Sequence, residues 1–500
     1  MKKLKEKLKS ITLKQWHIVI IILGIIFVSL GAFHSNIWFD ESYSVGLARH
    51  TFGEIWTIGG NDVHPILYYW MLRIVYLITG GSIIAYRIFS IIPIAITIIL
   101  GYTHIRKDFG EKTGFIFSFL SAFIPQMAVF AIEIRMYSWA LLAVTILAIY
   151  ANRLLKEDNT KNWIIFGISS FASIYLHYYG LMAAGLINLA LLVYLIVKKR
   201  KRGIIFIVAF GVAQAIAYLP WLVNLATQME KVSSGFWIKN SFPKTPMELL
   251  SAQLAGNLKS SDYVYLLVPT LLSLELYAYM IYKTVKYVKE KQDMTAYKWS
   301  IIIYFAVIVA AIIITVIMKT SILYYRYLFV ITGLYIFAVS FILGRDKNKV
   351  GVISILSVIA ILGAYNNFTL IKENYNSSNE EPINYLKENI QEEDTIVYTD
   401  FGGGSVVAAY FEENQVYFYN PENWGVEKAY EAFGPNYEVK ITKDFIENCS
   451  NRVWFIDDIY NSKSDKIFSD TEYKKVLEKD FLTKYHDYNY KIILLEKELQ

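Results

Sequence analysis

Apolar runs of near span length, all before residue 365 and none after it, constrain this chain more than any other feature. They lie near 16–34, 83–103, 115–132, 137–152, 163–176, 180–197, 204–221, 263–283, 299–318, 323–344 and 348–365. A helix needs about 20 mostly apolar residues to cross about 30 Å of hydrocarbon, so about eleven spans are expected. The 500 residues are 55% hydrophobic and only 18% charged, a balance that soluble domains rarely have. The first 35 residues have the basic start and apolar core of a signal peptide. Their run is span-length and no small-residue cleavage site follows, so an uncleaved first helix is expected.

Charge orients the spans. Basic clusters occur in "MKKLKEKLK" (1–9), "IRKDFGEK" (105–112), "RLLKEDNTK" (153–161), "KKRKR" (198–202), "KTVKYVKEK" (283–291) and "RDKNK" (345–349). With a cytoplasmic N-terminus, eleven crossings put every cluster on the inside, as the positive-inside rule requires. This works only if "HPILYYWMLRIVYLITG" (64–80) does not cross. That run is short, carries Arg73 and opens on His-Pro. It is read as an interfacial helix in a long first external loop, 35–82, with Pro65 suited to its first turn. The net charge of +6 is spread between spans and forms no aromatic-interleaved face, so nucleic acid is excluded as a partner. A single cysteine, Cys449, excludes an internal disulfide framework.

The same topology gathers Asp40, Glu41, Asp62, His64, Glu133, Arg135, His177, Lys319 and Arg326 at the outer ends of spans. Charges beside spans are costly and usually face a cavity or a partner. Five separate regions supplying them to one membrane side point to a polar outer site. In "NIWFDESYSV" (36–45), adjacent helical acids point about 100° apart. One of the pair is expected to act on substrate as a general base, while the other binds a cation, a basic side chain or a backbone amide. The alternative for Asp40 is a helix N-cap. "FAIEIRMYSW" (130–139) places Glu133 and Tyr137 four apart on one helical face, with Arg135 pointing elsewhere. "YLHYYG" (175–180) sets His177 among three tyrosines, Tyr178 included, as a substrate contact or an interface anchor. Lys319 and Arg326 suit snorkelling or phosphate binding equally. No nucleotide, zinc or triad motif is visible. Carboxylates with histidine could hold Mg²⁺ or Mn²⁺, and the sequence leaves metal use open.

After Tyr365 the composition turns to Asn, Glu, Lys, Asp and Tyr. "DTIVYTD" (394–400), "QVYFYN" (415–420), "RVWFID" (452–457) and "YKIILLEKE" (490–498) read as strands, with helix-like 382–390 and 425–433 between them. Residues 366–500 are therefore expected to form a small extracytoplasmic α/β domain, following a membrane domain over 1–365. "FGGGSVVAAYF" (401–411) imitates a phosphate-cradling turn without the spacing of one, so a tight strand-to-helix turn is expected.

"WFDESYSVGLAR", "NDVHPILYYWMLRIVYLITG" and "AYRIFSIIPIAI" (85–96), followed by "EIRMYSW", "LHYYG" and a late "RYL", resemble the polytopic GT-C glycosyltransferases. The nearest group is the bacterial family-39/83-like set, related to protein O-mannosyltransferases and lipid A aminoarabinose transferases. The resemblance covers roughly residues 15–345, with Pro65-Ile66 where the family often has two prolines. It implies an α-helical, polytopic GT-C-like fold with juxtamembrane helices in the first loop, a multi-pass place in the cell membrane, and transfer on the outer face. It also implies a polyprenyl-phosphate sugar donor, and a cell-envelope glycan, lipid or protein as acceptor. Asp40 matches the family's catalytic base, Glu133 a second acid of its cavity, and Arg326 a cation near the lipid phosphate. Glu41, His64, Arg135, Tyr137, His177, Tyr178 and Lys319 are the remaining candidates for substrate contact. The aromatics Trp38, Tyr43, Tyr68, Tyr69 and Tyr178 are expected to stack on sugars or anchor at the interface. The rival reading is a transporter of lipid-linked glycans. It would show inverted repeats and mid-membrane charges, and the sequence shows neither.

Overall fold

The computed structural model describes residues 12–234, 236–256, 263–423, 425 and 427–498. The basic cluster 1–9 lies outside them. The chain clusters into two compact units, each built from two stretches of sequence. One joins Met1–Leu30 to Ile88–Phe368, the other Gly31–Arg87 to Thr369–Gln500.

The first unit is a helical membrane body. Among the described residues, eight helices are long and apolar enough to cross a membrane, or nine if one bent pair is a single span. All eleven predicted segments fall on helices. Two of them, Leu13–Ser29 and Thr160–Leu176, have 17 residues and stop just short of full span length. Apolar side chains such as Ile205, Val223, Ile302, Val316 and Ile361 stand exposed on the outer helices, as lipid-facing surfaces do. Tyr325–Arg345 is instead almost wholly buried and forms the middle of the unit.

Two predicted spans are modified at sites that matter for function. The run 115–132 breaks into Glu111–Phe123 and Pro125–Ile132, bent by 61°. Pro125 has no N–H, and its ring forces Ile124 into an extended conformation, with ψ 130°. The second helix therefore ends with Glu133 just beyond it. The run 323–344 opens as a 3₁₀ stretch, Tyr325–Ile331, before the α-helix Thr332–Arg345. Its tighter winding sets the direction of Arg326 and Tyr327.

The second unit is α/β. Strands β1 (Thr395–Tyr398), β2 (Val416–Tyr419), β3 (Tyr437–Lys440), β4 (Arg452–Asp457), β5 (Tyr473–Leu482) and β6 (Asn489–Lys497) form one sheet in the order β3-β2-β1-β4-β6-β5. The first four strands in that order run parallel, and β6 and β5 are antiparallel to their neighbours. Strand β1 is buried along its whole length, as a central parallel strand covered on both faces must be. Val397, Tyr417, Val453, Phe455, Ile493 and Leu495 fill one face of the sheet. The four strands read from sequence are β1, β2, β4 and β6.

Three short helices from the first loop complete this unit: Phe39–Leu47, Phe52–Gly59 and Leu67–Thr79. The third is the disputed apolar run. Its 13 residues extend about 20 Å at 1.5 Å per residue, too short to span. It begins at Leu67, two residues after Pro65, so the proline precedes the helix and does not occupy its first turn. Arg73 donates to the carbonyls of Arg49 (2.7 Å) and Ala48 (3.3 Å), closing the C-terminal end of Phe39–Leu47.

Candidate active site

The adjacent acids at 40 and 41 take different environments in the first turn of Phe39–Leu47, where a helix dipole favours negative charge. Glu41 has no exposed surface. Its Oε1 accepts from Arg87 Nη1 at 2.8 Å. Its Oε2 accepts from Arg87 Nη2 at 3.1 Å, from the Tyr485 hydroxyl at 3.0 Å and from the Trp38 amide at 3.3 Å. Arg87 is equally enclosed and also donates to the Asn36 carbonyl. Of the partners expected for the second acid, a cation, a basic side chain or a backbone amide, Glu41 takes the last two. Glu41 is sealed from any substrate, which corrects the expectation that it touches one. The cap is also reassigned: Trp38 is the N-cap residue, and Glu41, three positions on, accepts its amide. Asp40 is not a cap, and it stays half-buried beside this locked pair.

Burial corrects other first-loop expectations. Tyr43, Tyr68 and Tyr69 are 7%, 0% and 0% exposed, with ring contacts to one another at 5.7–5.8 Å, so they pack a core and cannot stack on sugars. His64 is buried against Asp62, with Nδ1 3.3 Å from its carboxylate. Trp38 remains half-buried and stacks on His486, with centroids 4.5 Å apart and planes within 3°.

The membrane unit assembles a second cluster from three of its predicted regions. Glu133, at the C-terminal end of Pro125–Ile132, pairs with Arg326 from the 3₁₀ stretch. The guanidinium lies over the rings of Tyr137 (5.7 Å) and Phe130 (6.0 Å). His177 is the single residue between helices Thr160–Leu176 and Tyr178–Val197, and its Nδ1 accepts the Tyr179 amide at 3.1 Å. Its ring meets Tyr137 at 5.6 Å and Tyr327 at 5.1 Å. So tight a junction needs Gly180, where a Cβ would come 2.4 Å from the Ser173 carbonyl oxygen. Arg135 is buried next to this group, its amide donating to the Glu133 carbonyl at 2.8 Å. Sequence reasoning missed Phe130 and Tyr327 as members, although Tyr327 lies inside the "RYL" it singled out.

Tyr178 points elsewhere, to Gln228 and to Trp221 Nε1, which donates to its hydroxyl at 3.2 Å. Lys319 ends helix Thr295–Met318 in a left-handed conformation, φ 55°. It lines an open cleft of about 560 Å³ with Lys239, Asn240, Thr315, Thr320 and Ser321, a set that does not include Arg326. Among the described residues no group of three or more His, Cys, Asp or Glu is arranged to hold a metal ion. The "FGGGS" turn is a helix start, as expected. Asp400 caps Phe401–Ala408 by accepting the Gly403 amide at 2.7 Å, the donor a phosphate would need. Burial raises the Asp400 carboxyl above its ordinary range.

A family model described as dolichyl-phosphate-mannose-protein mannosyltransferase matches residues 63–224. The crystal structure of ArnT from Cupriavidus metallidurans in the apo state superposes over 96% of this chain and 97% of its own, with TM-score 0.60 and 11% identity. The chain has the GT-C fold. ArnT bound to undecaprenyl phosphate gives the same GT-C match, with TM-score 0.61, 11% identity, and coverage of 96% of this chain and 98% of that one. No curated protein matches by sequence. The family model ends well before Arg326, so it does not bear on the late "RYL" motif.

Proposed function

We propose that this GT-C protein transfers a sugar from a polyprenyl-phosphate donor to an acceptor hydroxyl, inverting the anomeric centre. Asp40 is the general base. It takes the acceptor proton while that oxygen bonds to the anomeric carbon, and the bond from that carbon to the lipid phosphate oxygen breaks, its electron pair leaving with the phosphate. The family resemblance, rather than any distance to Asp40, assigns Arg326, the partner of Glu133, to the lipid phosphate, where negative charge develops. The observation that carries the reading is the division between the adjacent acids. Four donor contacts consume Glu41, and Asp40 alone keeps access to solvent. The donor class is supported by the undecaprenyl phosphate bound in the ArnT structure and by the description of the matching family model.

Purified protein is incubated with undecaprenyl-phosphate sugars labelled in the sugar, and released undecaprenyl phosphate is measured. Asp40→Asn should abolish release while the protein remains folded and inserted; wild-type turnover in that variant would sink the assignment. The bent pair at Ile124–Pro125 is a feature a transport reading could claim, since transporters use broken helices. A transporter moves the lipid-sugar unchanged, so the same assay separates the two.

A further inference from the structure

The connection between β5 and β6, "TKYHDY" (483–488), grips the Asp40 segment at three successive points. The Tyr485 hydroxyl donates to Glu41 at 3.0 Å. The His486 ring stacks on Trp38 at 4.5 Å. The Tyr488 hydroxyl accepts the Phe39 amide at 2.9 Å. Residues 38, 39 and 41 are thus each held on either side of Asp40.

The grip is built in advance. His486 and Asp487 both adopt left-handed backbone, φ 57° and 50°. The Thr483 amide closes the loop on the Tyr488 carbonyl at 2.8 Å. Buried Asn379 receives the amides of Lys484 and Tyr485 on one oxygen, at 2.9 and 2.8 Å. The glycines of "FGGGS" also find their use here. A Cβ at Gly403 would press on the Tyr490 ring at 2.8 Å, whereas one at Gly402 would only touch the Tyr488 ring at 3.4 Å. Gly403 thus lets Tyr490 of this hairpin lie close on a helix start.

We infer that Tyr485, His486 and Tyr488 are positioning residues for Asp40, so that the C-terminal sheet sets the geometry of proton abstraction. The inference rests on Asp40 being the base. A base misplaced by about 1 Å loses on the order of a hundredfold in rate. A positioning defect lowers kcat, because substrate binding is untouched while the transition state is not. Tyr485 is kept protonated, and therefore a donor, by burial and by the Glu41 charge, which push its pKa well above the ordinary value.

The test compares Tyr485→Phe, Tyr488→Phe, His486→Ala and His486→Phe in the full-length protein. Turnover of labelled undecaprenyl-phosphate sugars is read together with hydrogen exchange of segment 36–45. Each Tyr→Phe change should lower kcat roughly ten- to a hundredfold with donor KM within about twofold. Exchange at Phe39 should accelerate in Tyr488→Phe, with the membrane helices exchanging as in wild type. His486→Ala should lose activity and His486→Phe, which restores a stacking ring, should recover it. If Asp40→Asn is inactive while both Tyr→Phe variants keep wild-type kcat and wild-type exchange at 36–45, the clamp is overturned and the base assignment stands. If Asp40→Asn turns over normally, the base assignment falls and the positioning role with it. The exchange arm shows whether a variant has merely unfolded.

Discussion

Adjacent helical side chains diverge by about 100°, and in "FDES" that angle separates the fully buried Glu41 from the half-buried Asp40, the proposed base. The pair Glu41–Arg87 has no exposure on either side, and breaking such a pair leaves an uncompensated buried charge. Glu41→Gln should therefore destabilise the α/β unit by about 3–5 kcal/mol, read as a lowered melting temperature. Loss of activity in that variant should track unfolding, whereas Asp40→Asn should lose activity at full stability. His34 makes a second prediction. It is 4% exposed between the rings of Tyr375 and Tyr485, and burial, aided by Arg87, lowers its pKa to about 2. Unfolded, the same imidazole titrates near 6.5. Between those values the unfolded state binds more protons, so stability falls as pH drops below 6.5, by up to about 1.4 kcal/mol per unit from this group. His34→Phe should flatten the fall in melting temperature between pH 7 and 5. An unchanged slope would show that His34 does not carry it.

Helix Phe39–Leu47 is held along its length as well as at its first turn. Gly46 packs on the turn that ends at Phe433, where a Cβ would come 2.3 Å from the Ala432 carbonyl oxygen. Backbone on the far side cannot retreat as a flexible side chain can. Gly46→Ala should cost about 1–3 kcal/mol and loosen the helix that carries Asp40, measurable as faster hydrogen exchange over 39–47. At this scale the sequence was legible wherever a pattern was local. The apolar runs gave the helices, and dense β-branched and aromatic runs gave β1, β2, β4 and β6. Strand β5 was missed because "YKKVLEKDFL" is an exposed, lysine-rich edge, which carries no apolar alternation to read. Strand β3 has four residues with one buried end, too short to signal. The break at Ile124 was written in Pro125, but the apolar run on both sides hid it. Glu133 with Tyr137, His177, and Arg326 come from three separate motifs. Their meeting was not readable, because the pair Glu133–Arg326 joins positions 193 apart.

For the whole molecule, the sorting of basic clusters proposes that the sheet unit lies outside the cell. Cys449 is buried and its thiol is pushed up to about 12, chiefly by burial, so it should resist alkylation at neutral pH. Tyr460 is 74% exposed. In intact cells Tyr460→Cys should react with a membrane-impermeant maleimide while the parent protein stays unlabelled. Labelling that appears only after lysis would reverse the proposed orientation. The first loop was expected to go with the membrane part, yet Gly31–Arg87 shares a compact unit with Thr369–Gln500. Nothing local announces that union, since its contacts join positions some 340–450 apart, as between Phe33 and Tyr375 or between Phe39 and Tyr488.

That separation has a temporal side. Tyr485 follows Glu41 by 444 positions, so at ribosomal speeds of about 5–20 residues per second the acid waits roughly 20 to 90 s for its last partner. Arg87 arrives within seconds and can neutralise Glu41 early, but the hairpin that holds Trp38 and Phe39 comes almost at the end. A nascent chain therefore carries Asp40, the proposed base, on an unfinished support until then, and a chain cut short before residue 483 is expected to insert without transferring sugar.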